Sequence, residues 1–498
     1  MQNDPNFWRS LKAEFSSWRM WLDRAVVLAY AIAAGLLVVG FTMLGDGAFG
    51  WFQELYAASP WAVLAWTPAL TAAIAWATRR HFPGAAGSGI PQVMVALDPA
   101  LPPAARERFV SLRLSVAKIV LASAGLLAGL SIGREGPSVQ VAAGVMQHAR
   151  RWLGPRSAIS GHALLVAGGA AGIAAAFNAP LAGVVFAIEE LSRKLESHNS
   201  GLIIAAIVLS GLMAVSAFGN LSYFGVIRVP RLGWDALLPG LLVTLACAVL
   251  GGLFSRLLAS SITGDSPDRF TRWRARHPVR FAAAGGLAIA VIGCVTGGAT
   301  FGAGSEEVKH LLAGEGHAPA VFVALKFVAT WLTAWCGVPG GIFAPSLSIG
   351  AGVGQNLATL TDPALAPALI ALGMAGFLAA VTQAPLTSFI IVMEMVDGHA
   401  MVLSLMAAAM LSSLISRMLS QPLYSALASH MLQRAAEPHP GPPAPAAAAM
   451  PAASAGAGAE DGRDAAEAAP GAAPAERLPA SPASEAPDAR AEPPADRR

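Results

Sequence analysis

Eight stretches of this chain run without a single Asp, Glu, Lys or Arg: 25–45, 57–78, 157–188, 199–227, 236–255, 281–304, 337–361 and 364–393. Most reach the about 20 residues that a helix needs to cross the hydrocarbon core of a bilayer. Backbone polar groups at that depth can be satisfied only within helices or a closed barrel. A barrel would show short alternating segments instead, so the sequence reads as an all-α polytopic membrane protein. Composition agrees, with 55% hydrophobic and 13% charged residues, where a soluble domain carries about 25% charged.

Residues 1–24 differ from the spans. Phe7, Leu11, Phe15, Trp18 and Leu22 recur every three or four positions, with Arg9, Lys12 and Arg19 between them. That pattern predicts an amphipathic helix on the cytoplasmic side, lying in the membrane interface or packed on the membrane domain, and not a cleavable signal peptide. The membrane domain then occupies 25–435. From about 436 the composition turns to Ala, Pro, Gly and scattered charge. Such a tail, 436–498, buries too little apolar surface to fold and is expected to be disordered.

Basic residues set the orientation. Arg9, Lys12, Arg19 and Arg24 precede the first span and Arg79–Arg80 follow the second, whereas the loop expected at 46–56 holds Asp46 and Glu54 without Lys or Arg. Both termini are therefore expected in the cytoplasm, with the arginine-rich loop DSPDRFTRWRARHPVR, in an inner-membrane protein. The arginines serve topology, and no nucleic-acid partner is expected. Cys247, Cys294 and Cys336 lie in apolar stretches without motif spacing and read as packing residues. No metal-ligand cluster or cofactor motif is apparent.

The two halves of the membrane domain, about 25–220 and 236–435, repeat each other. GREGPSVQVAAGV at 133–145 aligns with GIFAPSLSIGAGV at 341–353, and FNAPLAGVVFAIE at 177–189 with TQAPLTSFIIVME at 382–394. A weaker pair is GSGIPQV at 87–93 with GAGSEEV at 302–308. Paired halves are a mark of transporter folds. Several apolar runs are too long for one helix and too short for two, which predicts broken, re-entrant helices; whether the halves are parallel or inverted depends on the parity of crossings between them, and an inverted arrangement is favoured.

Three segments share a design: Gly87-Ser88-Gly89-Ile90-Pro91, Gly133-Arg134-Glu135-Gly136-Pro137 and Gly341-Ile342-Phe343-Ala344-Pro345. Proline suits the first turn of a helix, and glycine lets the preceding backbone turn sharply near a ligand. Each motif is expected to open a helix inside the membrane. The free N–H groups and partial positive charge of converging helix starts would hold an anion without a full lysine charge, and an ion so held can still leave.

Glu135 stands out because an ionisable side chain within the membrane is costly and functional by default. The plain alternative is an ion pair with Arg134, although adjacent side chains at a helix start do not readily face each other. Glu189 and Glu190 form a second acidic pair. Glu189 has a repeat mate in Glu394, and both stand at expected helix ends; Glu190 has none and is the stronger functional candidate.

Together these motifs resemble the CLC chloride channels and chloride/proton exchangers. AFNAPLAGVVFAIEE at 175–190 and QPLYSAL at 421–427 extend the likeness from the first span to about residue 432. The resemblance implies a CLC-type fold, no enzymatic activity, chloride and protons as the transported ions, and a homodimer with one pathway per subunit. By matching motifs, Ser88 and Tyr424 would give hydroxyls, and Ile342 and Phe343 backbone N–H groups, to a central chloride. Glu135 would be the external gate and Glu190 the internal proton-transfer residue, with Lys118 where exchangers often carry a buried lysine. Serine at 88 goes with chloride in this family, proline with nitrate and methionine with fluoride.

Ionised, Glu135 competes with chloride for the same N–H donors; protonated, it can swing aside, which links proton and chloride occupancy. Gln92 and Met94 stand where one bacterial branch carries acids, and the tail takes the place of the regulatory domain pair of many relatives. A passive chloride channel of the same family is the alternative, and Glu190 favours exchange. An intramembrane hydrolase is opposed by the absence of a paired Asp motif or a Ser/His arrangement.

Overall fold

The computed structural model describes residues 18–436 except 156, 193–199, 220–222, 225–232, 265–267 and 316–320. Single turns aside, the first half contains α1 (Trp18–Ala58), α2 (Val63–His81), α3 (Ile90–Leu97), α4 (Leu112–Leu127), α5 (Glu135–His148), α6 (Gly161–Ala176), α7 (Pro180–Phe186) and α8 (Ser200–Phe218). The second half runs through α9 (Leu237–Thr263), α10 (Arg269–Arg276), α11 (Pro278–Val295), α12 (Ser305–Ala313), α13 (Phe322–Trp335) and α14 (Phe343–Leu360). It continues with α15 (Ala366–Thr382), α16 (Pro385–Met395) and α17 (Val402–Ser416), and α18 (Leu423–Ala436) closes the domain. Among the described residues, seven helical stretches are long and apolar enough to cross a membrane.

The repeat seen in the sequence is a repeat of packing. α5 lies on α6 as α14 lies on α15; α6 touches α7 and α8 as α15 touches α16 and α17; α3 meets α5 as α12 meets α14. α6 and α15, almost wholly buried, are built from Gly, Ala and a few aliphatics. Small residues let helix backbones approach closely where no water drives association. A Cβ on Gly172 would strike the backbone of Ser138, and one on Gly350 would strike the Gly373 carbonyl.

The long apolar runs 157–188 and 364–393 break at matching places. Asn178 (φ 54°) ends α6 and Gln383 (φ 60°) ends α15, each two residues before the proline that opens α7 or α16. The first span departs from expectation. Residues 46–56, expected as a loop, are the last turns of α1, and 18–24 are its first. Phe52 is buried there against Phe301, and the helix stops only before Ser59-Pro60, where the residue preceding proline leaves the helical region. The remainder of the expected N-terminal helix and the expected tail lie outside the described residues.

Candidate functional site

Local sequence places the three glycine–proline motifs at helix starts, and two backbone bridges bring them together. Pro91 sits in the first turn of α3, Pro137 in that of α5 and Pro345 in that of α14. Gly133 and Gly341 exchange hydrogen bonds of 2.8 and 2.7 Å, and Gly87 donates to the Val338 carbonyl at 3.2 Å while accepting from Gly340 at 3.1 Å. Gly89, with φ 112°, turns the chain into α3 in a conformation that favours glycine. Its neighbour Ser88 lies over Gly136, where a Cβ would strike the serine hydroxyl.

Tyr424, at the start of α18, is 1% exposed and stacks on Phe343, ring centres 5.9 Å apart. Its hydroxyl and that of Ser88 are close neighbours, and both are buried with no hydrogen-bond partner among the described residues. Two buried hydroxyls without a partner among the described residues, beside the helix start at Ile342 and Phe343 whose first N–H groups have no partner within the helix, leave a polar gap that suits an anion.

Glu135 is the first residue of α5 and 1% exposed. Its carboxylate lies against the N–H groups of its own residue and of Ala344. Its Oε2 has no partner among the described residues. Arg134 does not pair with it. The guanidinium instead bonds Asp46, the Tyr223 hydroxyl at 3.2 Å and the Thr42 carbonyl at 3.4 Å. Arg134, Glu135, Asp46 and Tyr223 line a cavity of about 760 Å³, with Ser305, Glu306, Glu307, Lys309 and His310 also in its wall. Glu135 therefore stands between this vestibule and the polar gap.

Glu190 is half-buried in the single wide turn Ala187–Leu191 after α7, near enough for its charge to act on the Tyr424 hydroxyl. Glu189 has another task. It accepts from the N–H groups of Leu386 and Thr387 at 3.0 and 2.6 Å, capping α16. Glu394 accepts from Leu181 and Ala182 at 3.1 and 2.7 Å, capping α7. Each half thus caps a helix of the other in the same way.

Lys118 is fully buried, its Nζ 2.8 Å from the Ala85 carbonyl and 2.6 Å from that of Gly87, holding the strand of backbone that carries Ser88. Lys326, which motif reading missed, does the same in the second half with the carbonyls of Thr300 at 3.0 Å and Gly302 at 2.8 Å. The signal was available, because the 208-residue step from Gly133 to Gly341 also carries Lys118 onto Lys326. Asp46 and Tyr223 carry no motif and could not have been found that way. Gln92 donates to the Ala86 carbonyl at 2.5 Å, bracing the first motif from within α3.

A family model described as voltage gated chloride channel matches residues 70–417. The H(+)/Cl(-) exchange transporter ClcA of Citrobacter koseri is 30% identical over 444 residues, 82% of this chain and 89% of that protein. The same-named transporter of Vibrio parahaemolyticus is 30% identical over 372 residues, 71% of this chain and 76% of its own. Among solved structures, a slow cyanobacterial Cl−/H+ antiporter matches with TM-score 0.70 at 23% identity, over 83% of this chain and 98% of that one. A CLC-type fluoride/proton antiporter matches with TM-score 0.66 at 20% identity, over 82% and 98%. At these identities the solved structures speak for the fold.

Proposed function

Because the chain belongs to the voltage-gated chloride channel family, the CLC channels and exchangers, we propose that it exchanges chloride for protons across the membrane. The observation that carries this reading is the polar gap beside Glu135. Two buried hydroxyls, Ser88 and Tyr424, have no partner among the described residues, while the one carboxylate at the gap leans on the N–H groups of α5 and α14. A tethered anion at an anion site makes a gate that a proton can open. Protonation removes the carboxylate's claim on the Ala344 N–H, and chloride takes its place. Arg134, held by Asp46 and Tyr223, contributes positive potential without closing on Glu135.

Glu190, near Tyr424 but off the glycine–proline motifs, gives protons a separate route to the cytoplasm. The selected ion is chloride, in keeping with serine at 88. One chain supplies every residue of this pathway, which supports one pathway per subunit in a homodimer. Both termini face the cytoplasm of the inner membrane.

The test is purified full-length protein in liposomes with an imposed chloride gradient. Chloride should drive protons uphill, and Glu135→Ala should leave chloride flux in place while abolishing proton movement. Chloride flux in the wild type without proton movement, with voltage clamped, would replace exchange by a passive channel. Proton coupling that survives Glu135→Ala would remove Glu135 from the gate.

A further inference from the structure

α10 is short and two-faced. Arg269, Arg272 and Arg276 follow one another at three- and four-residue steps and are exposed, with Arg280 exposed just beyond. Phe270 and Trp273 face a cavity of about 510 Å³ between α9, α11 and α13. A connected set of aromatic rings runs along its wall. Trp331 stacks on Trp335 at 5.1 Å, Phe281 meets Trp335 at 4.8 Å, and Trp273 meets Phe281 at 5.4 Å.

Two polar details bear on what would fill it. The Trp331 indole N–H donates to Ser261 Oγ at 2.9 Å, but that of Trp335 is buried with no acceptor among the described residues. Asp268, the one acid in the wall, accepts from the Thr271 N–H at 2.7 Å and the Thr271 hydroxyl at 3.2 Å, so its charge lies at the start of α10. Arg269 stands over the Phe270 ring at 4.9 Å, which sets a guanidinium beside the aromatic wall.

We propose that this cavity is a binding site for an anionic phospholipid, with an acyl chain among the aromatic rings and the headgroup phosphate on the arginine face of α10. An amphipathic helix with aromatic and basic faces belongs at the membrane interface. Arginines there favour a lipid with net negative charge, because a zwitterionic headgroup offers them no net attraction. Passing contact with bulk lipid would need neither a concave aromatic wall nor a donor awaiting an acceptor. Arg274 turns the other way, to the carbonyls of Ser261 and Ile262 at 2.9 and 3.3 Å, and fixes α10 against the end of α9. This site lies apart from the anion gap and does not depend on the transport reading.

The full-length protein is placed in nanodiscs of equal phosphatidylglycerol and phosphatidylcholine, and the lipid kept on extraction is counted by native mass spectrometry. The wild type should retain about one phosphatidylglycerol per protomer, in preference to phosphatidylcholine. Ala288→Phe, which fills the cavity from the half-buried face of α11, should lower that retention at least about tenfold. The triple variant Arg269→Gln, Arg272→Gln, Arg276→Gln should lower it similarly. A single size-exclusion peak and a thermal unfolding transition like the wild type's check that both variants are folded. Equal retention of the two lipids by the wild type, or undiminished phosphatidylglycerol in either folded variant, would overturn the proposal.

Discussion

At the scale of single residues, the Tyr424 and Ser88 hydroxyls are the groups whose removal bears most directly on the proposed anion site. Each is buried without a partner of good hydrogen-bond geometry among the described residues, and each lies close to the other. A hydrogen bond to a charged group contributes about 1.5–3 kcal/mol. Tyr424→Phe and Ser88→Ala should each weaken chloride binding by at least about tenfold in calorimetric titrations of the purified protein. If both keep wild-type affinity, the anion sits elsewhere. These two residues were legible because they lie in motifs; the environment of Glu135 was only half legible. An acid between two glycines in an apolar run announces a function, but nothing in the sequence tells that Arg134 would turn away to Asp46 and Tyr223. That partnership joins residues 88 positions apart, and no local pattern encodes it. Lys326 falls between these cases, being visible only once the repeat step is applied to a lysine that belongs to no motif.

At the scale of elements, run length showed that helices would break but not where; the breaks fall at Ala-Pro, where proline removes a donor and restricts the residue before it. The helical course of 46–56 was not readable, since two acids and two glycines read as a loop until Phe52 finds its place against Phe301. The starts of α7 and α16 show what such breaks require. A helix opening inside the protein leaves N–H groups that must be satisfied, and here a carboxylate from the opposite repeat does so on each side. Glu189→Ala or Glu394→Ala should each cost about 1–2 kcal/mol and lower the thermal unfolding temperature of the solubilised protein. Chloride flux should persist, because neither side chain touches the anion gap. Glu189→Ala should in addition reduce proton coupling, since Glu189 anchors the turn that presents Glu190. A stability loss with unchanged coupling would confine Glu189 to capping.

At the scale of the whole molecule, charge is divided between the two ends. Arg79, Arg274 and Arg434 gather at one end, where burial together with the charges of Arg79 and Arg434 pushes Arg274 down to about 10. The other end holds the vestibule with Asp46, Glu306 and Glu307, where Lys309 is already paired with Glu306. Basic residues are retained on the cytoplasmic side during insertion, so the vestibule, and Glu135 at its floor, should face outward. Cysteine labelling can decide this, because Cys247 and Cys336 are buried and only the partly exposed Cys294 needs replacement. In a Cys294→Ser background, Glu307→Cys should react with an impermeant maleimide added outside intact cells, and Arg434→Cys only after the membrane is opened. The opposite pattern would invert the pathway, turning the Glu135 gate toward the cytoplasm and Glu190 toward the outside. The direction assigned to each proton step depends on that result, whereas the proposed anion gap, built from Ser88 before α3, Tyr424 on α18 and the start of α14, would bind chloride in either orientation.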